Sequence, residues 1–269
     1  MRQAIFTSKE PLNDNQLISI APSIYAPAPH ESRSNRYEFI PTITVLNELR
    51  KEGFMPYSVA QAKSRIPGKT EFTKHMIRFR KAGFETGEEI PEVVMINSHD
   101  GTSSYKMFSG VFRMVCLNGL IAGDVEQDFK VNHKGGDVLT EVVESAYEIT
   151  DGFLKVREEI KEMKAIELKK DEQTAFAEAA ITLKYDEGKA PINPEKLLSQ
   201  HRTADTENNL WTTLNVVQEN LIRGGQTGYI HNNGNTKRVK TRPVNSIDGN
   251  VKINKALWIL ANRMAEIKA

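Results

Sequence analysis

The chain has 269 residues, of which 39% are hydrophobic and 26% charged, with a formal net charge of +1. That is the composition of a globular protein with enough apolar material for its own core. So small a net charge excludes a whole-molecule field that attracts polyanions, so affinity for nucleic acid would have to come from segregated patches; the single cysteine, Cys116, excludes an internal disulfide.

Residues 1–36 are rich in Pro, Ser and Asn and show no periodic face, which predicts an extended or partly disordered lead-in. The segment MRQAIFTSKEPLNDN lacks the continuous apolar core of a signal peptide, and no run approaches the length of a membrane span, so the expected location is the cytoplasm, with no membrane partner. Residues 37–136 read as a β-rich core with one leading helix. Pro41 and Thr42 open that helix, Ile43, Leu46 and Leu49 share a face, and Gly53 is placed to end it. The segments MPYSVAQAKSRI, TKHMIRFRKAGF, EVVMINS and SYKMFSGVFRMVC are short, β-branched or aromatic and bounded by turn residues, as strands of an antiparallel sheet are. Asp100-Gly101 marks a hairpin between two of them. Cys116, in the apolar run FRMVCLNGLI, reads as a buried inert thiol rather than a nucleophile.

After Gly136 the period changes from two to alternating three and four. Leu139, Val142, Ala146, Ile149, Phe153, Val156, Ile160 and Met163 make an a/d stripe along one long helix, interrupted by Gly152 at a cost of about 1 kcal/mol relative to Ala. The stripe is either a coiled-coil seam between chains or a helix lying across the sheet of its own chain; Ala146 and Gly152 make a thin seam, which favours the second. Residues 137–202 are thus a long helix and short helices on the core, including one over 172–185 and one opened by Asn193-Pro194. Residues 203–269 form a helical pair: Leu210, Leu214, Val217 and Leu221 stripe one helix, and Ile253, Leu257, Leu260, Met264 and Ile267 the other. The whole predicts an α+β fold: an antiparallel β-meander packed by a long helix, then a helical C-terminal part with a basic loop between two helices, with 37–269 as one compact domain.

That loop, 224–250, reads GGQTGYIHNNGNTKRVKTRPVNSIDGN. It carries Lys237, Arg238, Lys240 and Arg242 with no acidic residue before Asp248, and its poverty in core-forming residues between two helical anchors predicts a presented loop or hairpin. Tyr229 and His231 would serve as stacking partners for exposed bases. In TKHMIRFRK the alternation places Ile77 and Phe79 on one face and Lys74, Met76, Arg78 and Arg80 on the other, predicting a basic outer stripe. Lys63, Arg65 and Lys69 lie upstream, and Lys106 and Arg113 would extend the stripe from a later strand. Cations at strand spacing can track a phosphodiester backbone; the competing account is an exposed face kept soluble by charge.

Four stretches, RYEFIPTITVLNELRKEGF, INSHDGTSSYKMFSGVFRMVCLNGLI, HRTADTENNLWTTLNVVQENLIRGG and TRPVNSIDGNVKINKALWILANRM, resemble in sequence and order a family of phage- and plasmid-borne proteins catalogued as domain of unknown function 932. The resemblance implies carriage on mobile elements and a role in replication, recombination or conflict with a host; it brings no assigned catalytic residue. The order of helix, antiparallel meander and long helix is also similar to the core of single-strand annealing proteins, an analogy of topology.

An enzymatic alternative centres on NSHDGTSS, with His99 and Asp100 as base or metal ligands, Ser103 or Ser104 as nucleophile, and His133, His201 and Asp205 joining from elsewhere. Asp-Gly flanked by Ser and Thr is equally what a tight turn requires, and no P-loop, dinucleotide fingerprint, CxxC pair or HExxH occurs. Asp205 pairing with Arg202 would seat the following helix, and Trp211 and Trp258 read as packing residues. The leading expectation is therefore a mobile-element protein that binds or anneals single-stranded DNA as a homo-oligomer, with no catalytic residue, cofactor or metal. A metal-dependent nuclease and an antagonist of a host defence system that binds a host protein are the alternatives.

Overall fold

A computed structural model of the protein describes residues 5–34, 37, 39–85, 87–114, 118–123, 129–131, 137–232 and 235–268, with the backbone alone described at 118, 129–131, 231 and 232. Contacts group into two compact units, Met1–Phe153 and Leu154–Ala269. The first opens with β1 (Phe6–Thr7), α1 (Asp14–Ile20), a 3₁₀ turn over Pro22–Tyr25 and α2 (Thr42–Lys51). The meander follows as β2 (Phe54–Gln61), β3 (His75–Lys81), β4 (Glu89–Asn97) and β5 (Tyr105–Arg113). Strands β6 (Asn118–Ile121) and β7 (Phe129–Val131) both pair with β5, at Gly110–Arg113 and Tyr105–Met107 respectively. All pairings are antiparallel, in the order β1-β2-β3-β4-β5-β6 with β7 off that path. Helix α3 (Val138–Asp151) closes the unit, and the fold is α+β, as the change of period predicts.

Strand alternation sets the core. In register, Phe79 faces Val93, and Ile77 faces Met95, which in turn faces Met107. These side chains project from one face of the sheet, where Val45, Leu46 and Leu49 of α2 and Val138, Val142, Ala146 and Ile149 of α3 complete one hydrophobic cluster. Of the two roles open to the a/d stripe, α3 takes the sheet-packing one.

The stripe does not run along a single helix. Helix α3 stops at Asp151 and α4 (Phe153–Ala165) starts two residues later. Gly152 between them stays in the right-handed region, but its N–H is shared among the carbonyls of Glu148, Ile149 and Thr150. The regular i→i−4 pattern lapses at the residue whose helix preference exceeds only that of proline.

The extended or partly disordered lead-in expected over 1–36 is corrected for its described part, which holds a strand and a helix. Phe6 pairs in register with Val59, and α1 begins with a reciprocal capping box: the Asn13 side chain accepts from the Gln16 amide, and the Gln16 side chain accepts from the Asn13 amide, both at 3.0 Å. Leu12, Leu17, Ala21 and Ile24 are buried in the same core. Four buried apolar residues and a cap outweigh the prolines and serines around them.

The second unit contains the rest of α4, then α5 (Lys170–Thr182), a 3₁₀ turn over Pro194–Leu198, α6 (Leu210–Arg223), β8 (Thr227–Asn232), β9 (Asn235–Lys240) and α7 (Ile247–Lys268). Helix α6 is buried from Leu210 through Leu221, polar residues included, so its side chains must find partners inside. The Gln218 amide donates to Asn254 Oδ1 of α7 at 2.9 Å. Trp211 and Trp258 meet edge to face with centroids 6.4 Å apart, the packing role expected of them. Helix α7 starts at Ile247, and the Ser246 hydroxyl caps it by accepting from the Gly249 amide. Among the described residues no helix is long and apolar enough to cross a membrane.

Candidate functional site

Three polar centres stand out from the apolar framework. The first joins His75, at the start of β3, to Thr42, the first residue of α2, and to His99, just beyond β4; all three are fully buried. Thr42 Oγ1 lies 2.9 Å from His75 Nε2, 3.1 Å from His99 Nε2 and 3.0 Å from the Asn97 amide nitrogen, which donates to it. His75 Nδ1 lies 2.8 Å from Ser23 Oγ, which donates to Gln61 Oε1 at 2.8 Å. Gln61 is fixed in turn, because its amide nitrogen donates to the Thr70 carbonyl.

This arrangement determines where the hydrogens sit. Ser23 spends its one hydrogen on Gln61, so it must accept from His75 Nδ1–H, leaving His75 Nε2 an acceptor. Thr42 then donates to His75 Nε2 and accepts from Asn97 and from His99 Nε2–H. A second proton on His75 would be a surplus donor at Thr42. Burial, reinforced by the neighbouring His99, accordingly pushes the His75 pKa down to about 3. The cluster can hold the 3₁₀ turn of Pro22–Tyr25, α2 and the sheet in register, with both imidazoles sealed from solvent.

Asp100 does not join it. Its carboxylate accepts from the Thr102 amide at 3.0 Å and the Thr102 hydroxyl at 2.6 Å and pairs with Lys69 at 3.3 Å. Burial raises its pKa, but the hydrogen bonds from Thr102, Ser98 and Lys69 together outweigh it and the net shift is downward. Ser103 donates to the Ser104 carbonyl. The NSHDGTSS segment therefore has the geometry of a turn, and His99 and Asp100 do not converge. His133, like Cys116, lies outside the described residues. Among the described residues no three His, Cys, Asp or Glu side chains gather as a metal site would require.

The second centre overturns the expected basic outer stripe. Arg78 and Arg80 do project from the face opposite Ile77 and Phe79, but that face is covered too, and they are 3% and 2% exposed. Glu92, wholly buried on β4, accepts from Arg78 Nε at 2.5 Å and from Arg80 Nε at 3.0 Å. Arg78 also donates to the Leu120 carbonyl of β6 at 2.7 Å, although β4 and β5 stand between the two strands in sheet order, which requires the sheet to curl. Glycine makes the room: a Cβ on Gly110 would lie 2.8 Å from the Arg78 guanidinium, and one on Gly119 2.7 Å from Arg78 Nη2. Arg80 is sandwiched between the rings of Tyr57 and Phe112, 4.2 and 4.3 Å from their centroids. Arg113 is 4% exposed and lies 3.6 Å from Glu88. The alternation was legible; the cover over it was not. Lys63 and Arg65 are exposed, and Lys74 and Lys106 are half-buried.

The third centre is the segment 224–250, and it is a hairpin. Strands β8 and β9 pair through Thr227↔Lys240, Tyr229↔Arg238 and Asn232↔Asn235. Its root is tied by Gly225 N–H to the Thr241 carbonyl at 2.8 Å and Thr241 N–H to the Gln226 carbonyl at 2.9 Å. Lys184 Nζ donates to the carbonyls of Leu221 and Arg242 at 2.6 Å each, and burial lowers its pKa to about 8. Lys237, Arg238, Lys240 and Arg242 are exposed, and among the described residues no acidic side chain pairs with them. Tyr229 is 53% exposed. His231 pairs in register with Thr236, and its side chain is outside the described residues.

Beside the root, buried Glu219 accepts from both guanidinium nitrogens of Arg202, at 2.5 and 2.7 Å, and from Arg223. Burial raises the Glu219 pKa, and the two arginines outweigh it and hold it low. Arg202 reaches Asp205 at 3.2 Å, the pair expected to seat α6. His201 Nε2 donates to Asn220 Oδ1 at 2.7 Å, an oxygen left as acceptor because the Asn220 amide nitrogen serves the carbonyls of Leu197 and Ser199.

A curled antiparallel sheet on helices, followed by a helical unit with a cationic hairpin, defines an α+β protein with a cluster of exposed cations on that hairpin and a sealed imidazole pair. The chain belongs to the family described as Domain of unknown function (DUF932), whose model matches residues 29–258. It is 44% identical over 254 residues to UPF0380 protein YafZ of Escherichia coli (strain K12), covering 94% of this chain and 92% of that protein. UPF0380 protein YfjQ of the same organism matches with the same identity and coverage. No solved structure matches it significantly.

Proposed function

We propose that the protein binds nucleic acid, single-stranded DNA in the first place, through the β8–β9 hairpin. The supporting observation is the exposure of Lys237, Arg238, Lys240 and Arg242 on a two-stranded ribbon without acidic partners among the described residues. Clustered cations on a projecting element release counterions from a phosphodiester backbone and gain affinity whatever the net charge of the chain. The reading no longer uses Arg78, Arg80 or Arg113. Binding, annealing or protection of strands in the cytoplasm, by several copies acting together, needs no side-chain catalyst, which suits a surface of this kind and the helix–meander–helix order shared with annealing proteins.

A labelled oligonucleotide titrated by fluorescence anisotropy tests it. At most four phosphate contacts set a slope no steeper than about −3 in log affinity against log salt, hence at most roughly fifty-fold weaker binding at about 200 mM than at about 50 mM. Replacing all four cations by Ala should remove the slope with the affinity. A quadruple variant that binds as wild type does, with the same slope, would sink the reading.

A further inference from the structure

The ladder register sorts the hairpin onto two faces. Tyr229 is opposite Arg238, and Thr227 opposite Lys240; alternate positions of a strand share a face, so Tyr229, Arg238 and Lys240 project from one side and Ile230, Lys237 and Val239 from the other. The Tyr229 amide donates to the Pro191 carbonyl at 2.7 Å, so it points away from β9. Tyr229 and Arg238 are therefore a non-hydrogen-bonded pair, the kind in which cross-strand side chains come closest.

The two faces differ in what lies against them. Gly228 is on the Lys237 side, and a Cβ there would lie 2.6 Å from the Pro191 carbonyl carbon and 2.7 Å from Ile192 Cγ2. That side is seated on residues 191–192 at its root, with Ile230 and Lys237 exposed beyond it. On the other side Tyr229, Arg238 and Lys240 are all exposed.

We infer that this open face is a one-sided platform for unpaired bases, with the Tyr229 ring stacking on a base, Arg238 and Lys240 holding the flanking phosphates, and Lys237 taking no part. The inference rests on the nucleic-acid reading above and deepens it. A duplex keeps its bases stacked inside and offers Tyr229 no ring face, whereas an unstacked strand offers one at every nucleotide. The ligand class is therefore single-stranded DNA or RNA.

The test uses the full chain at low salt, with an oligo-dT strand and a duplex of equal length as probes. Tyr229→Ala should weaken oligo-dT binding by roughly ten-fold while leaving duplex binding unchanged, and Tyr229→Phe should restore it. Arg238→Ala should weaken binding and flatten the salt slope, and Lys237→Ala should do neither. Circular dichroism identical to wild type confirms that these exposed substitutions leave the fold intact. Equal loss on both probes with Tyr229→Ala, no loss at all, or matched losses for Lys237→Ala and Arg238→Ala would overturn the one-sided platform while leaving the hairpin a nucleic-acid element. Wild-type protein that binds neither probe would overturn both.

Discussion

Acid should loosen this protein through His75. Its pKa falls from 6.5 to about 3 on burial, so the fold holds the neutral ring while the unfolded chain takes up a proton below pH 6.5. The unfolded state then binds more protons than the native state, and stability is full above about pH 6.5 and declines as the pH falls towards 3. Each pH unit in that window costs about 1.4 kcal/mol, so at about pH 4.5 the loss is about 3 kcal/mol, a substantial part of a typical domain's stability. Urea unfolding at a series of pH values would measure it, followed by tyrosine near-ultraviolet dichroism, since Tyr105 is buried in the same unit. Both tryptophans, Trp211 and Trp258, belong to the other unit. His75→Gln should be less stable at neutral pH yet lack the extra acid dependence. Nitrogen chemical shifts should show the wild-type ring neutral at about pH 5 with its hydrogen on Nδ1. A variant with the wild-type slope between about pH 6.5 and 4.5, or a ring that titrates near 6.5, would refute the reasoning.

Two further outcomes follow from named contacts. Glu92→Gln removes the carboxylate shared by Arg78 and Arg80 and should lower unfolding free energy by about 3–5 kcal/mol in chemical denaturation, with replacement of all three residues by apolar ones recovering much of it. Asn13→Ala breaks the reciprocal cap of α1 and should cost about 1 kcal/mol, read as a lowered thermal midpoint.

What could be read from the sequence was the local and periodic part. Alternation in TKHMIRFRK correctly divides Ile77 and Phe79 from Arg78 and Arg80, and the position of Gly53 correctly ends α2. Alternation assigns a side to each residue, but whether that side meets solvent depends on how far the sheet curls, which only the pairing of β6 with β5 decides. One signal was available: a lone Glu92 in the apolar strand EVVMIN calls for a cationic neighbour. The Asn13–Gln16 spacing likewise announces α1 among residues whose composition suggests disorder. The Thr42–His75–His99 cluster had no local signature, because its members come from segments 33 and 57 residues apart. Helix α7 begins at Ile247 because the Ser246 hydroxyl supplies the cap.

The Thr42 hydroxyl also bears on how the family can change. Its one hydrogen and two lone pairs are all committed, to His75, Asn97 and His99. Replacing Thr42 by Val would strand three buried groups at once, and changing either imidazole leaves the hydroxyl with a surplus or a deficit. Single steps away from this arrangement each pass through a destabilised intermediate, so the cluster should be inherited as a block or exchanged wholesale for apolar residues. In sequences that diverge at the surface, a change at Thr42 should arrive together with changes at His75 and His99.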